Sequence, residues 1–235
     1  MARSLIGVSA ADALRPFLLV YNAAMTKLDE IAINIELVLI SLIEGFALTN
    51  LAERAVPILD GPDAFLYLPY ILSGLLIILV FWSQSILHAV SFIRWPLNMW
   101  HMFLYFVAAF VQVVAYSNLE NLTMWFFWWV IFTVIGLCMY LLDYRIIRSV
   151  RSRFDAAYIE SVERRHTYEI RVLVPAALIF NMAAFAIVFF VPSLFTTPLA
   201  FALPGILQAV VTLVALFDCV KNFNQRSAMI AGTQK

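Results

Sequence analysis

Charge, cysteine, glycine and histidine are all scarce in this chain. Charged residues fill 13% of its 235 positions, about half the share of an ordinary soluble domain, too few to clothe a water-facing surface. The two cysteines, Cys138 and Cys219, lie inside apolar runs and form no Cys-x-x-Cys, which argues against a disulfide framework and against local thiol redox chemistry. Lys+Arg and Asp+Glu balance at 15 each, leaving no basic surplus for a nucleic-acid partner. With seven glycines and three histidines there is no phosphate-binding glycine loop, no Gly-x-Ser-x-Gly elbow, no His-Glu-x-x-His and no many-histidine di-iron centre. An enzymatic role is therefore not expected.

What is present is apolar. Residues of that kind make up 64% of the chain, against about 45–50% in soluble domains. A membrane-spanning helix needs roughly 20 mostly apolar residues, and six runs qualify, at about 31–52, 65–92, 98–117, 122–146, 171–191 and 198–220. Barrel strands would alternate in polarity and be shorter. The expected fold is an all-α integral membrane protein, a six-helix transmembrane bundle at 31–220. Residues 1–30 are expected to form an amphipathic interfacial segment, since Asp12, Arg15 and Pro16 break its apolar residues. Residues 147–170, free of Gly and Pro, read as a cytoplasmic helical hairpin between the fourth and fifth spans, and 221–235 as a cytoplasmic tail. Pro57, Asp60, Gly61, Pro62 and Asp63 mark a turn after the first span, and Arg94-Trp95-Pro96 a tight hairpin after the second.

Orientation follows from the basic residues. With the N-terminus inside, every Lys and Arg except Arg54 falls on the cytoplasmic side. The chain reads as a multi-pass protein of the cell membrane with both termini cytoplasmic. Trp125, Trp128 and Trp129 would then form an aromatic belt at the outer end of the fourth span. Arg145, Arg148 and Arg151 have the spacing of a voltage sensor, but they start where the helix leaves the membrane, as positive-inside residues do.

At 100° per residue the polar side chains gather into stripes: Asn98, His101, Tyr105, Gln112 and Tyr116 on the third span; Ser73, Ser83, Gln84, His88 and Ser91 on the second; Gln208, Thr212, Asp218, Cys219 and Asn222 on the sixth; Asn34, Ser41 and Gly45 on the first, with Glu44 at the edge of that face. Polar groups avoid lipid, so these faces are expected to turn inward, either as interhelical glue or as a polar path between spans one, two, three and six. His88 lies about 9 Å before Arg94 and His101 about 10 Å after it, so a hairpin sets the two imidazoles level, with Glu36 at similar depth. Asp143 and Asp218, near cytoplasmic ends, are expected to pair with Arg145 and Lys221, and His166 to be solvated beside Arg164 and Arg165. Glu44 differs, because it sits about 20 Å into its helix. A carboxylate at that depth must be neutral or meet a partner or water. Ser41-x-x-x-Gly45 is a small-xxx-small pattern that lets another helix approach, within the bundle in the first instance.

The function expected is a channel or transporter for protons, cations or a small solute. Glu44 would be its key acid, Gln84, His88, His101 and Gln112 would line the route, and Glu36 or Asp218 would serve the inner mouth. The alternative is a non-catalytic accessory or assembly subunit of a larger membrane complex. No cofactor is predicted; His88 and His101 are the pair a haem or metal would use. The expected partners are the lipid bilayer and either further copies of the chain or other chains of a membrane complex. In a background lacking both native cysteines, Asp60→Cys should react with a membrane-impermeant maleimide on intact cells while Lys235→Cys stays protected; the opposite pattern contradicts the orientation.

Overall fold

The computed structural model describes the backbone of residues 10–91, 99–153 and 156–233 and the side chains of most residues between 31 and 225. The side chains of Glu36 and His88 and the hairpin at Arg94-Trp95-Pro96 lie outside the described residues. The described chain is all helical: α1 (Ala10–Leu59), α2 (Ala64–Ser91), α3 (Met99–Ser117), α4 (Leu122–Val150), α5 (Ala156–Tyr168), α6 (Val174–Phe190) and α7 (Pro198–Thr233). Five segments are long and apolar enough to cross a membrane, at Ala64–Leu87, Trp100–Ser117, Leu122–Ser149, Tyr158–Phe190 and Pro198–Gln225. On those grounds of length and hydropathy the chain is a multi-pass membrane protein.

The helix boundaries follow local chemistry. Asn121 caps α4 by accepting from the Met124 N–H at 3.1 Å, and Thr197 serves α7 by accepting from the Ala200 N–H at 3.3 Å; each satisfies a donor that a helix start leaves open. α1 is one continuous helix from Ala10 to Leu59, and α7 runs from Pro198 to Thr233.

Between α5 and α6 the helix widens into a π turn at Glu169–Leu173, where the Val174 N–H reaches back to the Glu169 carbonyl. The cause is Pro175. It has no N–H for the carbonyl four residues back, and in a regular helix its ring would strike that carbonyl. Widening the preceding turn relieves the clash while keeping the rod continuous. α4 is followed by a short 3-10 turn at Arg151–Arg153, and Ile147 of α4 packs against Ile159 and Val162 of α5.

α2 packs most intimately on α7, and α1 lies on α2 and α3. Two glycines permit the closest approaches. A Cβ on Gly205 would lie 3.0 Å from three atoms of the Tyr70 ring, and one on Gly74 would lie 3.0 Å from the Tyr116 ring. Tyr70 donates its hydroxyl to the Phe201 carbonyl, and Tyr116 donates to the Gly74 carbonyl at 3.2 Å, so each ring buries its body and satisfies its tip. Around them cluster Ala47, Leu51, Ile78, Trp125, Phe126 and Trp129.

Two expectations are corrected here. Trp125 and Trp129 are core residues rather than a belt; their rings meet edge-to-face 5.4 Å apart, and Trp125 Nε1 donates to Gln208 Oε1 at 2.9 Å, which removes the need for an interfacial position. On α1 the buried face is Ile40, Ile43, Glu44, Ala47, Leu51 and Ala55, while Asn34, Ser41 and Gly45 are exposed. A Cβ on Gly45 would meet nothing within 4 Å, so among the described residues no other helix approaches the small-residue pattern. Larger apolar side chains gain more from packing than Ser and Gly do, and they took the inner face.

Gly205→Ala should therefore destabilise the bundle by about 1–3 kcal/mol through overpacking, whereas Gly45→Ala, in open space, should be neutral or slightly stabilising. Thermal unfolding of the two variants in one detergent distinguishes them, and equal melting temperatures would contradict the packing described.

Candidate functional site

Near the inner ends of the helices, as the sequence-derived orientation has them, α3, α4, α5 and α7 bring ionisable side chains into one chain of contacts. His101 Nε2 of α3 faces Asp143 Oδ1 of α4 at 3.2 Å. Asp143 Oδ2 lies 4.0 Å from His166 Nε2 of α5. His166 Nδ1 faces Glu169 Oε2, in the π turn, at 3.3 Å. Glu169 Oε1 accepts from Arg165 Nε at 2.8 Å, and Arg165 Nη2 donates to Asp218 of α7. His101 is 1% exposed, His166 0% and Glu169 1%. The Asp218 side chain is 37% exposed and forms the open end of the series.

Tautomers follow from the partners. His166 Nε2 lies 3.2 Å from the Tyr140 carbonyl oxygen, which can only accept, so this nitrogen carries a proton. Its Nδ1 then faces a carboxylate oxygen, and that contact is favourable only if a second proton sits between them, on the imidazole or on Glu169. His101 Nε2 needs only its own ring proton to meet Asp143 Oδ1. Arg165 is a fixed positive charge that contacts Glu169 and Asp218.

Asp143 also lines a cavity of about 330 Å³ between α2, α4, α6 and α7. Ile77, Val80, Phe81, Phe132, Phe180 and Met139 supply most of its wall, and Gln84, Ser85, Thr133 and Thr212 supply polar points. Its other end is closed by a neutral network. Gln208 Oε1 accepts from Trp125 Nε1 and from Ser73 Oγ at 3.0 Å, and Gln208 Nε2 donates to Asn181 Oδ1 at 3.3 Å. Asn181 donates in turn to the Ala177 carbonyl at 2.9 Å. In the cavity wall, Gln84 Oε1 and Trp129 Nε1 are buried with no hydrogen-bond partner among the described residues, which is uncommon in a folded interior.

The residues singled out from sequence divide between these regions. His101 and Asp218 belong to the charged series. Gln84 lines the cavity. Glu44 and Gln112 do not line it. They are 4% and 0% exposed, and the side-chain oxygens of Glu44 and both amide atoms of Gln112 have no hydrogen-bond partner among the described residues. The buried face of α3 also includes Tyr105 and Tyr116.

Asp143 is engaged with His101 rather than Arg145, and Asp218 with Arg165 rather than Lys221. His166 is not solvated surface; it is buried against the Tyr140 ring, centroids 5.2 Å apart. Its charged neighbours concealed this, because Arg165 turns inward while Arg164 stays exposed. The spacing Ile159, Val162, His166, Glu169 is a buried helical stripe and was the signal available. Among the described residues no group of three or more His, Cys, Asp or Glu side chains is arranged to hold a metal ion.

Arg165→Gln breaks the buried ion pair with Glu169, which costs about 3–5 kcal/mol when one partner of a buried pair is removed. Arg151→Gln breaks the pair with Glu163, whose arginine is 62% exposed, at a cost of about 1 kcal/mol or less. Thermal unfolding should separate the two variants clearly; equal effects would contradict a buried, interdependent charge series. No protein-family model, no curated protein and no solved structure matches the chain, so a functional reading rests on the chemistry of these residues.

Proposed function

We propose that the chain is a transporter or channel that moves protons across the membrane, alone or coupled to a cation or small solute held in the cavity. The observation that carries this reading is the buried series of carboxyl–imidazole contacts with one end on the cavity at Asp143 and the other partly exposed at Asp218. Ionisable groups are costly at membrane depth and mark proton or ion routes where they occur. Each carboxyl–imidazole contact holds an exchangeable proton, and histidine is the side chain best suited to pass one on near neutral pH. The π turn at Glu169 gives the route a break in a long helix, the kind of irregularity that lines sites in transporters.

In this reading α1 is the sixth span and both termini face the cytoplasm. Asp143, His101, His166 and Glu169 exchange protons with the cavity, Arg165 holds the inner gate by binding Glu169 and Asp218, and Asp218 faces the inner mouth. Gln84 lines the solute path. Glu44, with Gln112 one helix away, is a second buried acid on the route between α1 and α3. Glu36 and His88 keep their proposed places at the inner mouth and along the path. The alternative, an accessory subunit, draws support from the exposed Ser41 and Gly45 on the outer face of α1, where another chain could lie.

The purified protein in liposomes loaded with a pH-sensitive dye should dissipate an imposed proton gradient faster than empty liposomes. Asp143→Asn should reduce that rate about tenfold or more, the size of effect that follows the loss of a proton-carrying group, and Glu44→Gln should abolish the flux while the protein remains monodisperse. Wild-type liposomes no leakier than empty ones, with or without membrane potential, would overturn the proposal and leave the subunit reading.

A further inference from the structure

The cavity has an opening of its own. α6 and α7 scarcely approach each other along their backbones. They are tied at one level by Gln208 and Asn181, and α5 is tied to α7 at another by Arg165 and Asp218. Between these two ties the walls are small: Ala176 and Ala177 on α6, Thr212 and Ala215 on α7. Ala176 and Val211 both line the cavity and are exposed. Both residues lie in segments apolar enough to cross a membrane, Tyr158–Phe190 and Pro198–Gln225, so a ligand entering here would come from the bilayer.

The lining states what would be held. Phe81, Phe132, Phe180, Trp129 and Tyr140 surround an apolar volume with their rings, and aromatic faces attract a desolvated cation. Gln84, 8% exposed, turns an unpartnered oxygen acceptor onto that volume, which suits an N–H donor. Asp143 supplies negative charge at the floor. Around it stand His101 of α3, Tyr140 of α4, His166, Glu169 and Arg165 of the α5 rod and, from α7, Asp218 and Cys219. Asp143 is in contact with two imidazoles, so a bound cation and the imidazole protons compete for the same carboxylate. An anionic ligand would face Asp143, and a neutral one would leave the charge competition unused.

We infer that the cavity is a binding site for a lipophilic ammonium compound that enters from the bilayer between α6 and α7. The ammonium group lies toward Gln84 and Asp143, its apolar body lies against the phenyl rings, and its binding displaces protons from the series. The coupling part rests on the transport reading above; the binding site itself does not.

The test uses the full-length protein in nanodiscs and measures equilibrium binding of radiolabelled 1-aminoadamantane, with neutral 1-adamantanol as the matched control. The expected result is saturable binding of the amine at one site and none of the alcohol. Apparent affinity should fall as pH is lowered, by about tenfold per unit where one proton is displaced. Asp143→Asn should weaken binding about tenfold or more. Ala177→Trp, which fills the gap, should abolish it, while Ala183→Trp, exposed on the same helix, should leave it intact and controls for a generally disturbed fold. Equal binding of amine and alcohol, affinity indifferent to pH, or unchanged binding in Ala177→Trp would each overturn the inference. Proton flux without amine binding removes this site and leaves the transport proposal standing; amine binding without any flux removes the transport proposal and leaves the site.

Discussion

The charged end of this bundle depends on one constraint: the buried carboxylates Asp143 and Glu169 and the partly exposed Asp218 are linked through His101, His166 and Arg165. Charges at such depth need partners, and the partners come from different helices. His101 brings in α3, His166 and Arg165 bring in the α5 rod, and Asp218 brings in α7. Meeting the electrostatic requirement therefore fixes which helices adjoin one another. It also accounts for the continuous α5–π–α6 rod: one element must deliver His166, Arg165 and Glu169 to the same place, and the π turn forced by Pro175 shifts the register just where Glu169 joins.

The opposite end of the bundle is built on different physics. There the polar groups are neutral and mutually satisfied, with Gln208 serving as the junction for Trp125, Ser73 and Asn181, and close packing at Gly74 and Gly205 holds the Tyr116 and Tyr70 rings. The cavity is lined by members of both regions, Asp143 from the charged series and Gln208 and Asn181 from the neutral network.

Much of this could be read from residue order. The apolar runs mark the helices because lipid demands about 20 apolar residues per crossing, and polar periodicity on the third span picks out His101, Tyr105, Gln112 and Tyr116, all buried in α3. The burial of Glu44 without a partner also agrees with its depth in the run. The same rule misled on α1, because Ser41 and Gly45 are small enough to face hydrocarbon at little cost, and the inner face went to Ile40, Ala47 and Leu51. It missed His166 because a histidine beside two arginines looks solvated until the partner of each arginine is known. It missed the cavity because Asn181 and Gln84 lie on separate helices whose adjacency no single helical wheel contains. Pairings such as Asp143 with His101 are of this kind: nearby Arg145 is the obvious partner along the chain, and only the packing of α3 on α4 supplies a nearer one.

The central claim is that His101, Asp143, His166 and Glu169 form one connected series across α3, α4 and the α5 rod. Nitrogen-15 NMR of histidine-labelled protein tests it directly, since only three imidazoles contribute. The account predicts that Asp143→Asn shifts the signals of both His101 and His166 at constant pH. A change confined to one of them, or to neither, would contradict it.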